Sequence, residues 1–272
     1  KATAATGSVN MSTVGTDGSI TNKAVEAGNN VIQKAATTLT NSGAVTATNG
    51  YVDMDAAGLI TNSSTVKGNT YVTMDSSAGG ITNTGKVTST AGYVTMNAKD
   101  KTYGIIQNNA VQGYTNVTLN AGKSLTNSGE ITADTGYVDM DSTGTISNTK
   151  AVTATKGSVD MNAGGAISQT GDVTAATSVL ISSDTKGNVT IGTAADKTNT
   201  VTAGTTAKVQ ANEGDITVFG TVTSATGTTV QTLNTGGNVA VTGLVQTTDG
   251  GDVTVLATNG SVTLTDNSSK DN

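Results

Sequence analysis

The pentapeptide LTNSG occurs at Leu39–Gly43 and again, unchanged, at Leu125–Gly129. Looser copies surround it: ITNSS from Ile60, ITNTG from Ile81, IQNNA from Ile106, ISNTK from Ile146 and ISQTG from Ile167. A small polar pentapeptide rewritten at intervals near 21 residues is a repeat signal, and repeats decide the fold before any local propensity does.

Working outward from it, two further series keep the same period. Short runs with an apolar residue at alternate positions begin at Val9, Val31, Val52, Val72, Val94, Val117, Val138, Val159, Val179, Val209, Val230 and Val253. The pentapeptide series itself reads Ile20, Leu39, Ile60, Ile81, Ile106, Leu125, Ile146, Ile167, Val189, Ile216, Val239 and Val262. A third follows at Val25, Val45, Val66, Val87, Val111, Ile131, Val152, Val173, Val201, Val222 and Val245. Three short extended segments per period, separated by Gly, Asn, Asp and Thr, predict a parallel β-solenoid with each strand paired to its equivalent one coil away. Twelve such coils make a rod on the order of 55–60 Å long, at about 4.8 Å per coil.

Composition agrees with a thin stacked core. Aromatics are 3% and Trp is absent, while Val, Ile, Leu, Ala and Met recur at fixed phase. All 6 Met residues (Met11, Met54, Met74, Met96, Met140 and Met161) share one phase, with Leu119 in the gap. Flexible packing in a stacked interior accounts for that stripe better than a soft-metal or redox role. Asn22, Asn41, Asn62, Asn83, Asn108, Asn127 and Asn148 form another column, closed by Gln169. These residues are expected to mark a corner at which Leu points inward, Asn turns the chain through a left-handed conformation and Gly completes the bend. Stacked amides are also expected to bond from coil to coil. After Gln169 the corner changes to Gly, as in Phe219-Gly220 and Thr242-Gly243. The chain is therefore read as one continuous solenoid over residues 1–272, with an Asn-ladder subtype at 1–175, a Gly-corner subtype at 176–272 and one insertion at 192–200.

The segment AGKSLTNSGEITADTGYVDMDSTGTISNT (Ala121–Thr149) resembles the repeats of filamentous haemagglutinin-like exoproteins, bacterial adhesins exported by two-partner secretion. The resemblance covers residues 1–175 well and 176–272 more loosely. It implies a right-handed parallel β-helix, as does the right-handed bias of parallel crossovers. It also implies a secreted or cell-surface location and a role as an extracellular filament or adhesin shaft.

Several function classes lose support. There is no Cys, no His and, with all 14 basic residues Lys, no Arg. The chain thus lacks thiol nucleophiles, the usual general base and the usual bidentate anion clamp. Net charge is −6 with no basic run, so nucleic acid is a poor partner. No apolar run is long enough to span a membrane. No catalytic residue and no cofactor is expected.

Two surface features are candidate sites. Asp53, Asp55 and Asp75 fall together on adjacent coils, and Asp139 with Asp141 repeats the pattern, while Asn97, Asn120 and Asn162 continue the column. Such carboxylates suit a weakly held Ca²⁺ or, remotely, a polysaccharide-degrading pair; otherwise they form a solvated acidic edge. Tyr51, Tyr71 and Tyr93, with Tyr137 further along, precede an inward Val on the same strand. They are read as a stabilising stack or as a ligand face for a glycan or host-surface protein. The other expected partner is the chain itself, through end-to-end or lateral fibre contacts.

Overall fold

A computed structural model of the chain describes residues 1–234 and 236–265. Among these the protein is all-β, with three parallel sheets of 12 strands, each sheet taking every third strand. One coil contributes one strand to each sheet. The seventh, for example, is Ile131–Ala133, Val138–Ser142 and Thr145–Asn148. We name the sheets by their inward residues, in chain order: the Val–Ala sheet, the Met sheet and the Asn sheet.

Alternation explains each strand. In Val52–Ala56, Val, Met and Ala are buried while the two Asp residues stay partly exposed. The same inward set repeats one coil away, because Val52, Met54 and Ala56 are Cα partners of Val72, Met74 and Ser76. Each sheet is thereby buried on one face by the other two. The interior is a set of single-residue columns, with Val52, Met54, Ile60 and Val66 all at 0% exposure.

The Asn-sheet and Val–Ala-sheet series read from sequence are the observed partners throughout, from Ile20↔Leu39 to Val239↔Val262 and from Val25↔Val45 to Val222↔Val245. The Met-sheet series holds as far as Val179 and then needs correction. Val179 pairs with Ala207, and Val209 pairs with Ile181, in the Met column. Val230 continues that Met column, whereas Val253 returns to the first column opposite Thr228. The slip is two residues. Because side chains alternate faces with period two, an even slip keeps Val209 and Val230 inward and leaves no trace in the pattern.

Gln33 is a second departure. It stands in the Met column between Met11 and Met54, fully buried, and neither amide atom has a hydrogen-bond partner among the described residues.

The Asn column is a ladder, but its corner works differently from the expectation. Asn41, Asn62, Asn83, Asn108, Asn127 and Asn148 each donate from Nδ2 to the amide oxygen of the next coil, at 2.6–3.1 Å, ending on Gln169. From Asn62 onward the second Nδ2 proton goes to a backbone carbonyl one or two residues ahead, such as Ser64 at 2.6 Å and Gly129 at 2.6 Å. Asn22 occupies the column, yet its amide is unpaired. No non-glycine residue among those described has positive φ. The Asn residues therefore stay extended, and the turn is held by a side-chain-to-backbone bond rather than by a left-handed residue. Nor does the following glycine serve a special dihedral. A Cβ on Gly43 would overlap the Lys23 carbonyl, and one on Gly171 would overlap that of Lys150. Gly lets successive corners stack at sheet spacing. In the later coils Ile191, Val218 and Val241 replace the amide, and Gly192 alone of the residues following them has positive φ, at 76°.

Two excursions leave the coils. One joins Ile191 to Thr200, which already belongs to a strand, so it spans 192–199. The other, 99–104, lies between Ala98 and Ile105 in the fifth coil and is absent from the sequence reading above.

Candidate functional site

With the interior filled by columns, chemistry is confined to the outward faces, the corners and the two excursions. On the outer Met sheet, Tyr51, Tyr71 and Tyr93 stack as expected. Ring centroids are 4.5 and 5.2 Å apart, and planes differ by 6° and 3°. Burial between its neighbours, then the charge of Tyr51, Asp53 and Tyr93, pushes the Tyr71 phenol up to about 12. The facing ring surfaces are used by one another, so the row shows solvent mainly edges and hydroxyls. A sugar ring stacks on an open aromatic face, which this arrangement offers only at the two ends of the row. Tyr137 stands two coils beyond Tyr93, with Asn116 between them, outside the stack.

The acidic column also forms. Asp55, Asp75, Asn97, Asn120, Asp141 and Asn162 are successive partners. Amides bridge part of it: Asn97 Nδ2 donates to Asp75 at 2.6 Å, Asn120 to Asn97 at 2.8 Å and Asn162 to Asp141 at 3.2 Å. Asp53, Asp55 and Asp75 each offer a carboxylate oxygen within 4.8 Å of the others, a spacing a divalent cation can use. Lys34 lies 3.4 Å from Asp55 and 3.9 Å from Asp53 and already balances part of that charge. Further along, burial first and then the charges of Asp141 and Asp160 raise the Asp139 carboxyl to about 6. A carboxyl at that value is suited to acid–base work. The adjacent groove of about 730 Å³, however, is lined by Asp141, Asn162 and Lys99 and not by Asp139.

The 192–199 excursion is braced internally. Asp196 accepts from the Thr198 hydroxyl at 2.6 Å and from its backbone N–H at 3.0 Å, which holds its carboxyl below the usual range. Asn199 pins the loop to the coil beneath through the Thr170 carbonyl.

The 99–104 excursion creates the least periodic surface of the rod. Asp100 accepts from the backbone N–H groups of Thr102 and Tyr103 at 2.8 and 2.6 Å, fixing a tight turn. Tyr103 then stands 66% exposed, facing a depression of about 400 Å³ that it shares with Leu59, itself 43% exposed. Gly58, Gly79 and Gly80 also line it; a Cβ on Gly80 would press on the backbone of Tyr103 and Ile105. Neither residue was singled out by sequence reasoning. The available signal was the interval of 25 residues from Ile81 to Ile106, against 21 from Leu39 to Ile60 and from Ile60 to Ile81.

No protein-family model, curated protein or solved structure matches the chain. Among the described residues no helix is long and apolar enough to cross a membrane.

Proposed function

We propose that this chain is a non-enzymatic extracellular rod, a stretch of a bacterial surface fibre or of the shaft of a filamentous haemagglutinin-like adhesin. The observation that carries the reading is the unbroken parallel pairing of three sheets over 12 coils. A solenoid of this kind gains length at constant cross-section, because each coil needs only its neighbours. Its outward columns change gradually, with Asp, Asn and Thr exchanging places, as suits a solvated shaft.

End-to-end joining belongs to the same reading. Among the described residues, Val253, Val262 and Leu264 stand 44–66% exposed on the edge strands of two sheets. Such an edge is a template for another parallel strand, from a further coil or from a second copy.

Electron microscopy of the native material tests the proposal. Thin rods or fibres of uniform width, with this chain repeating along them or leading to a distinct head, are the expected result. Compact particles without a long axis would refute it. Sedimentation of the isolated chain tests the joining separately: a monodisperse monomer at high concentration removes self-assembly and leaves the shaft.

A further inference from the structure

The depression beside Tyr103 is not isolated. Thr82 and Gln107, which line it, also line a trough of about 390 Å³ on the outer face of the Asn sheet. The trough continues past Thr84 and Asn109 to Thr126 and Ser128. The two hollows share that wall and run across the third to sixth coils, with Tyr103 and Leu59 at the loop end and Thr, Asn, Gln and Ser side chains beyond it.

We propose that this cleft binds a neutral oligosaccharide, with one sugar ring against Tyr103 and Leu59 and the next over the Thr82–Gln107 row. Four observations select that class of ligand. First, no Asp, Glu or Lys among the described residues lines either hollow, which favours an uncharged ligand. Second, Tyr103 belongs to no ring stack among the described residues and is exposed in a braced turn, so its aromatic surface is open and pre-positioned. Third, the hollow at the loop holds about 400 Å³, enough room for a sugar ring. Fourth, the Thr82 hydroxyl and Gln107 amide have no partner among the described residues, whereas Ser128 is oriented by its bond to the Asn108 carbonyl at 3.2 Å. Free and oriented polar groups beside an open aromatic ring match the two sides of a sugar, apolar on its C–H face and hydroxylated at its rim.

The site is separate from the Tyr51–Tyr71–Tyr93 row, which lies on a different sheet. It also does not depend on how rods join.

Saturation-transfer NMR of the whole chain tests it, using glucose, galactose, N-acetylglucosamine, lactose and cellobiose, with glucuronate as the charged control. At least one neutral sugar is expected to show transfer. Tyr103→Ser should weaken it about tenfold or more, the worth of one aromatic contact, and Gln107→Ala should weaken it further. Tyr137→Ser, on the exposed Met sheet, should leave it unchanged, and all three variants should keep the wild-type circular dichroism. No transfer from any neutral sugar overturns the proposal, as does equal transfer from glucuronate or an undiminished signal in Tyr103→Ser. None of these outcomes alters the rod seen by microscopy, so the two readings fail independently.

Discussion

Replacing Gln33 by Met should stabilise the rod, and the size of the effect follows from its position. Gln33 sits at 0% exposure between Met11 and Met54, with Met74 and Met96 next in the same column. Its Nε2 and Oε1 have no partner. An unpaired buried amide costs about 1–3 kcal/mol in protein mutational series. Met has nearly the same length and volume, so the exchange removes that cost without opening a cavity or straining a neighbour. The expected gain is thus about 1–3 kcal/mol.

Global melting is a poor assay here, because a solenoid unravels coil by coil and its cooperativity is local. Amide hydrogen exchange reads the coils separately. In Gln33→Met the strands Val31–Ala35 and Val52–Ala56 should exchange about 5- to 150-fold more slowly, the same free energy expressed as an opening equilibrium. Strand Val159–Ala163, six coils from Gln33, should be unchanged. Equal or faster exchange at Val31–Ala35 would refute the reasoning. It would mean that the amide is satisfied inside the rod, with an enclosed water as the natural partner, and that Met expels it.

Other expectations rest on equally local contrasts. Asn127 gives Nδ2 bonds to Asn148 and Gly129 and receives one from Asn108, so Asn127→Ala should cost about 2–4 kcal/mol in the local opening free energy read by amide exchange, whereas Asn22→Ala should cost less than about 1 kcal/mol; equal losses would show that the ladder contributes nothing. Gly43→Ala drives a Cβ into the Lys23 carbonyl, while the nearest atom to a Cβ on Gly7 is 4.0 Å away. The first should destabilise by more than about 2 kcal/mol and the second by less than about 0.5 kcal/mol, read as local opening free energies by amide exchange of the adjoining strands. Asp139 has a folded-state pKa raised from 3.8 to about 6, so the folded chain holds its proton more tightly than the unfolded chain. Its contribution favours folding below the ordinary carboxylate range and is lost as pH climbs through about 6. The amide-exchange protection of Val138–Ser142 in Asp139→Asn should therefore fall less than in wild type between about pH 3.5 and about pH 7, a span that brackets both values; parallel curves would dispose of the shift.

The architecture was legible because stacking imposes the same demand on every coil. Ile60, Ile81 and Ile106 face one another inside, so one coil's pattern predicts the next. Three things escaped that logic for identifiable reasons. The two-residue slip at Ala207 preserves inward and outward phase, and Val209 matches the Val pattern that Ala207, the true partner of Val179, breaks. The Asn corner was assigned to backbone preference, when a buried amide with two donors achieves the same turn by bonding forward along its own chain and across to the next coil. Gln33 was invisible because its neighbours Val31 and Ala35 carry the alternation without it.

These failures point one way. A residue in a repeat rod is explained by its column when it matches the column, and it carries separate information only where it departs. Asp55 and Asp75 vary with Asn97 and Asn120 along a shared line, which marks them as interchangeable surface. Tyr103 has no counterpart in the neighbouring coils, because the segment bearing it is inserted. Exposing a tyrosine and a leucine side by side gains nothing for a shaft whose core is already closed by Val, Ile and Met. It does create an unpaired aromatic surface next to unused hydroxyl and amide groups. On physical grounds, then, recognition on this rod belongs at the break in the repeat, not on the regular Tyr row, where stacking has used up most of the ring faces that a ligand would need.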